Sequence, residues 1–214
     1  MKTFTLTSIL LLSPLLIHAA PTGQGQLCTR DSTAITSEQI QTIAPTSNTC
    51  ANAPAAGECA TSDTAASSIS KSFQTYGVTN KAEQAAVIGL MAFESGDFKY
   101  NKNHYPGVAG QGTRNMQSPA FNAKYAASIP ALADSLKAVN GDPAGTLDLL
   151  RAVPEYDFGS GAWFLTTQCT SSVRGQLQQG TQAGWEAFIT GCVGTAANDD
   201  RKAYWSRAVE ALGI

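Results

Sequence analysis

The hydrophobic pattern has one centre. From Gln84 to Phe93 the chain reads QAAVIGLMAF, apolar on nearly every side. A helix that is apolar all round belongs in the middle of a domain rather than on its surface. This run stops abruptly at Glu94-Ser95-Gly96, and a loop rich in Asn, Gly, Tyr and His follows as far as Gln117. Asn80-Lys81-Ala82-Glu83 forms a capping box that opens the central helix.

Amphipathic helices are expected on both sides of it. Ser62 to Tyr76 carries Ala65, Ile69 and Phe73 on one stripe and stops at Gly77. Ser118-Pro119 starts a helix over Ala120–Ala127, with proline at its first position. Ile129-Pro130 restarts another, through Leu132, Leu136 and Val139, closed by Asn140-Gly141. Asp142-Pro143 opens a third, which Pro154 breaks. Glu155 to Gly161 reads as a second polar, glycine-punctuated stretch leading into a helix at Ala162–Leu165. Short helices follow over Val173–Gln179 and Thr181–Cys192, and Asn198 caps the last. Trp163, Trp185 and Trp205 sit at helical spacing among aliphatic residues and read as core. No alternating strand pattern of useful length and no repeat occurs. The fold class predicted is all-α, a helical domain of about eight helices over 61–214 with a buried central helix, stabilised by disulfides.

Before that domain come two other segments. Residues 1–19 read as a secretory signal peptide: Lys2 first, an apolar run from Ile9 to Ile17, then small residues at the cut. That run is too short to span a bilayer. Residues 20–60 form a Thr, Ser, Ala and Pro-rich segment with weak helical periodicity except over Ser37–Ile43. A secreted, extracellular monomer is expected, with no membrane association. Losing Lys2 takes the formal charge from −2 to −3, and a mildly acidic surface argues against a nucleic-acid partner.

In a secreted chain the five cysteines are disulfide partners before they are metal ligands. Cys50–Cys59 and Cys169–Cys192 are the expected pairs, leaving Cys28 as the odd thiol, with Cys28–Cys50 and Cys28–Cys59 as open alternatives. No C-x-x-C occurs, and the leader takes away one of the two histidines, so neither a metal site nor a cofactor is expected.

Glu94 is the first candidate for chemistry. A carboxylate at the end of a buried apolar helix is costly to ionise, and an acid that keeps its proton can act as a general acid. Against this stands the plain alternative of a solvated residue beside a terminating glycine, Gly96. In the following loop, Tyr100 and Tyr105 offer flat rings with polar rims. Asn101, Asn103, His104 and Gln117 offer amide and imidazole groups. Asn next to Gly is also ordinary turn chemistry.

Glu94-Ser95-Gly96-Asp97-Phe98, followed by Gly110-Gln111-Gly112-Thr113-Arg114-Asn115-Met116-Gln117, resembles the lysozyme-like superfamily. More narrowly it is similar to goose-type lysozymes, soluble lytic transglycosylases and small secreted fungal proteins carrying such a domain. Tyr156-Asp157-Phe158-Gly159 stands in the order of that family's third cleft motif. The match is imperfect: Thr113-Arg114-Asn115 replaces the usual residues before Met116-Gln117, and Asp157 replaces an asparagine. Asn103 and Ala109 stand where phage-type lysozymes carry an aspartate and a threonine, which disfavours that subtype.

The resemblance implies a glycosidase that cleaves the β-1,4 bonds of peptidoglycan, with Glu94 as catalytic acid. Asp157 is then the first choice for a second carboxylate and Asp97 a weaker one. Tyr100, Asn103, His104, Tyr105, Gln117 and Tyr156 are the candidate substrate-binding residues, and an N-acetylated polysaccharide is the expected partner. The competing readings are a non-catalytic glycan-binding protein on the same fold, an enzyme acting on chitin-type oligosaccharides, and a cysteine hydrolase using His104. The acidic balance counts against avid binding to anionic cell walls.

Overall fold

The computed structural model describes Met1 and residues 33–214. The chain divides into two units, Met1–Arg30 and Asp31–Ile214, and the second is the one described below. The signal peptide expected over residues 1–19, apart from Met1, and the expected free thiol of Cys28 lie outside the described residues.

The domain is all-α. Among the described residues it has ten α-helices: α1 Ser37–Ile43, α2 Ser62–Tyr76, α3 Lys81–Glu94, α4 Pro119–Ala127, α5 Ala133–Val139, α6 Pro143–Arg151, α7 Pro154–Gln168, α8 Ser171–Leu177, α9 Gln182–Phe188 and α10 Asp199–Leu212. There is no strand among them, only two isolated bridges, Lys102 to Gly112 and Gly112 to Gln117. Two disulfides, Cys50–Cys59 and Cys169–Cys192, close loops at either end of the domain's sequence.

Local chemistry explains most boundaries. Gly77 ends α2 in the left-handed conformation that only glycine adopts freely. The side chains of Asn80, Ser118, Asp142 and Asn198 each accept a first-turn amide of the helix they open. At Asn80 the cap is not reciprocal. The buried Glu83 side chain turns to Arg174 instead, at 2.7 Å, and ties α3 to α8.

The central helix behaves as its pattern requires. Every residue from Ala82 to Ala92 is buried, with α10 packed on one side and α7 on another. Gly89 permits the α10 contact, since a Cβ there would sit 3.1 Å from the Trp205 backbone. Trp185 and Trp205 stack in this core with ring centres 5.2 Å apart. A second apolar cluster, containing Tyr125, Leu150 and Trp163, lies among α4, α6 and α7.

One element differs from expectation. The stretch from Glu155 to Gly161 is not a loop: Pro154 occupies the first turn of α7, a helix of 15 residues running through both glycines. Those glycines serve packing rather than turning. A Cβ on Gly159 would meet the Tyr125 hydroxyl at 2.4 Å, and one on Gly161 would press on Met91 and Val87. In the segment before Ser62, the periodicity over Ser37–Ile43 does form a helix, α1. Thr36 and Gln39 form a complete capping box on α1, whose Ile40 and Ile43 are fully buried in the main core.

Candidate functional site

Glu94 is the last residue of α3, and the chain turns away sharply after it. Gly96, Asp97 and Phe98 all have positive φ (56°, 57° and 64°), a strained sequence for the two residues with a Cβ. The surroundings hold it in place. The hydroxyl of Ser95 donates to the Met91 carbonyl and accepts the Phe98 amide. Asp97 accepts both the backbone amide and the hydroxyl of Thr46, and the hydroxyl of Tyr204. Partial burial, and then the hydrogen bond to Asp97, push the half-buried Tyr204 hydroxyl up to about 12. Asp97 is thus a structural tie rather than a second acid.

The turn leaves Glu94 on the wall shared by two adjoining cavities. The inner one, about 310 Å3, is lined by Glu94 with Leu90, Asn115, Gln117, Phe121 and Phe164 among others. The outer one, about 290 Å3, is lined by Tyr100, Lys102, Asn103, His104 and Tyr105. Glu94, Gln111 and Met116 belong to both, so the two halves make one groove that crosses the carboxylate.

Glu94 is not an isolated acid in greasy surroundings. Arg201 from α10 donates two hydrogen bonds to its Oε1, at 2.9 and 3.2 Å. The same guanidinium lies 4.7 Å from the Phe93 ring centre. No residue near Glu94 in sequence signals this partner.

Other candidates divide between groove and scaffold. Gln117 is in the inner half, its amide donating to Asn122 at 2.6 Å. Asn103 faces the outer half but spends its carbonyl oxygen on the amides of Gly107 and Val108, which is turn chemistry. His104 bonds Glu58 through Nε2 at 3.0 Å. Tyr105 stands 91% exposed at the groove's mouth.

Two residues are elsewhere. Tyr156 lines a separate cavity of about 530 Å3 with Tyr76 and Tyr125, between α2, α4 and the start of α7. Asp157, the first choice for a second carboxylate, is absent from the groove lining. It is 2% exposed, with Oδ2 2.7 Å from Arg114 and 3.0 Å from the Asn101 amide, while Oδ1 is buried without a partner. Burial pushes the Asp157 carboxyl up against the opposing pull of Arg114. Helix formation across 154–168 is the reason, because it turns Asp157 inward toward the 113–116 turn that carries Arg114.

Arg114 is the hub of this inner network. It donates to the carbonyls of Phe98, Tyr100 and Glu58 as well as to Asp157. Glu58, unnoticed in the sequence because it lies in the Ser/Thr-rich segment, accepts the Asn101 amide and faces His104 and Arg151. Burial pushes its carboxyl up, but the Asn101 hydrogen bond and the cations outweigh that and hold it below the usual carboxylate range.

No family model and no solved structure matches the chain. Over 156 residues it is 46% identical to a bifunctional dioxygenase (DOX)–epoxy alcohol synthase (EAS) of Fusarium oxysporum (strain Fo5176). The match takes in 70% of this chain but 12% of the relative, so the chain spans about one-eighth of that protein's length. This corrects the lysozyme-like assignment. Three short motifs, of five, eight and four residues, carry that resemblance, and a match of 156 residues outweighs them. The reading of a peptidoglycan-cleaving glycosidase, with Glu94 as its acid and Asp157 as its partner, falls with it. Among the described residues no group of three or more His, Cys, Asp or Glu is arranged to hold a metal ion.

Proposed function

We propose that this chain is the ligand-holding part of an enzyme, and that the groove across Glu94 binds an extended, amide-bearing polar chain, an N-acetylated glycan. The observation that carries this reading is the continuity of the two cavities through Glu94, Gln111 and Met116. A groove longer than one sugar-sized cavity fits a linear ligand better than a compact one. Its lining alternates amides that pair with N-acetyl and hydroxyl groups and rings that cover sugar faces. Phe121 and Phe164 supply the rings of the inner half, where they pack edge to face at 5.0 Å. The reading concerns binding. Two disulfides in a domain of this size support a place of action outside the reducing cytosol.

Calorimetric titration of the full chain with the N-acetylglucosamine hexamer tests it. Saturable one-site binding is expected, weakened roughly tenfold in Phe121→Ala or Gln117→Ala, which is a loss of about 1.4 kcal/mol. The absence of heat, and of amide shifts along 94–117, up to about 10 mM ligand would overturn it.

The identity to the Fusarium protein favours a second reading, in which the shared segment serves the activities named for that relative. Deleting the matching segment from the Fusarium protein separates the two. Loss of its dioxygenase and epoxy alcohol synthase activities supports the second reading, and their retention supports the first.

A further inference from the structure

The outer half of the groove is a loop without a helix or strand of its own, and residues 102–109 are largely exposed. Something outside the loop must hold its shape. Several of its ties converge on a single buried side chain. Glu58, 4% exposed, accepts the Asn101 amide through Oε2 at 3.1 Å. Its Oε1 takes the His104 ring nitrogen at 3.0 Å, with Arg151 of α6 at 3.6 Å and Lys102 at 4.0 Å. Its backbone carbonyl accepts Arg114 at 2.7 Å. Tyr100, Lys102, Asn103, His104 and Tyr105 line the groove, so Glu58 grips the strip of chain that presents them.

Glu58 in turn is held by a covalent clamp. Cys59 is its immediate neighbour and closes back on Cys50, nine residues earlier. Within that loop Ala51, Asn52, Pro54, Ala56 and Gly57 are exposed, and two backbone hydrogen bonds lie inside it, Ala53 to Cys50 and Glu58 to Ala55. Both cysteines are half-buried, within reach of a small thiol.

We propose that Glu58 is a positioning residue for the groove and that the Cys50–Cys59 disulfide locks it there, so that reduction of this bond disassembles the outer half. The ligand side of this inference rests on the groove reading above. The reaction is a two-electron exchange. A dithiol donates two electrons and two protons, the Sγ–Sγ bond breaks, both cysteines become thiols, and the dithiol closes to its own disulfide. The freed 51–58 loop regains its conformational entropy, Glu58 leaves its cations, and Asn101 to Tyr105 lose their anchor.

The test compares four full-length forms: wild type, Cys50→Ser/Cys59→Ser, Glu58→Gln, and Cys169→Ser/Cys192→Ser as the control for losing a disulfide elsewhere. Amide hydrogen exchange is followed without ligand, and binding of the N-acetylglucosamine hexamer separately. The first two variants are expected to speed exchange over 100–112 roughly tenfold while α3 and α10 stay protected. Binding then weakens roughly ten- to hundredfold, the scale of a misplaced contact. The control leaves exchange over 100–112 unchanged. Unchanged exchange over 100–112 in both Glu58→Gln and the Cys50/Cys59 variant overturns the inference. So does an increase spread evenly over the whole domain, which marks general loss of stability. If exchange responds as expected but wild type ignores the hexamer, the positioning role stands and the glycan reading falls.

Discussion

The carboxylate of Glu94 and the guanidinium of Arg201 meet at 2.9 Å, although 107 residues separate them in the chain. The pair joins the end of the central helix to the start of the last one, and both side chains are mostly shielded, at 20% and 16% exposure. Charge-assisted bonds in such a setting stabilise more than surface pairs do. Arg201→Ala leaves Glu94 without this partner and is expected to cost about 1–2 kcal/mol. Glu94→Gln should cost less, because Arg201 keeps the Ala196 carbonyl and the Phe93 ring. Urea midpoints at unchanged slope measure both.

A pH dependence follows from Glu58. It is faced by His104 and Lys102 from the loop, Arg151 from α6 and Arg114 from the 113–116 turn, with Asp157 of α7 beyond Arg114. Its folded carboxyl titrates below the usual glutamate value. The unfolded chain therefore binds the proton first as pH drops. The stability Glu58 contributes is complete above the ordinary glutamate range and is lost as pH falls through the lower, folded value. Stability measured from pH 6 down to pH 3 should fall less steeply in Glu58→Gln than in wild type.

The sequence carried the parts of the fold that depend on neighbours along the chain. Asn80, Ser118, Asp142 and Asn198 cap helices with their own side chains, Gly77 stops one by its backbone freedom, and the all-apolar run marks α3 as central. What it hid depends on neighbours across the fold. Gly159 and Gly161 read as turn residues, yet their missing side chains make room for Tyr125 and Met91. Arg201 shows no local sign that it faces Glu94. Asp157 sits in a cleft-like motif by order alone, and only the helical phase of α7 reveals that it points at Arg114. The same limit explains the mistaken family resemblance, which rested on short motifs whose order along the chain says little about how they meet.

The backbone that brings Gln111 to the groove depends on one glycine. Gly112 bridges Lys102 on one side and Gln117 on the other, and a Cβ there would lie 2.6 Å from the Asn101 carbonyl and 2.9 Å from Leu147. That carbonyl already accepts the Thr113 amide, and the Asn101 amide is held by Glu58, so it cannot retreat cheaply. Gly112→Ala is expected to destabilise by about 1–3 kcal/mol, as overpacking does. Chemical shifts of Asn101, Thr113 and Gln117 should move more than those of α2 or α9.

Arg114 and Asp157 offer the sharpest separation of pair energy from burial cost. Both are almost wholly enclosed, at 4% and 2% exposure, and burial alone pushes the Arg114 guanidinium down and the Asp157 carboxyl up. Removing one partner strands the other charge away from water. Arg114→Met is therefore expected to cost about 3–5 kcal/mol, and it also strips donors from the carbonyls of Phe98, Tyr100 and Glu58. Asp157→Asn should cost less, since an amide can still accept from Arg114 and leaves no orphaned carboxylate oxygen. The double variant should lose less than the sum of the singles, a coupling of about 1–3 kcal/mol in a double-mutant cycle. Strict additivity would mean that the two side chains act independently, and that Arg114 matters through the three carbonyls alone.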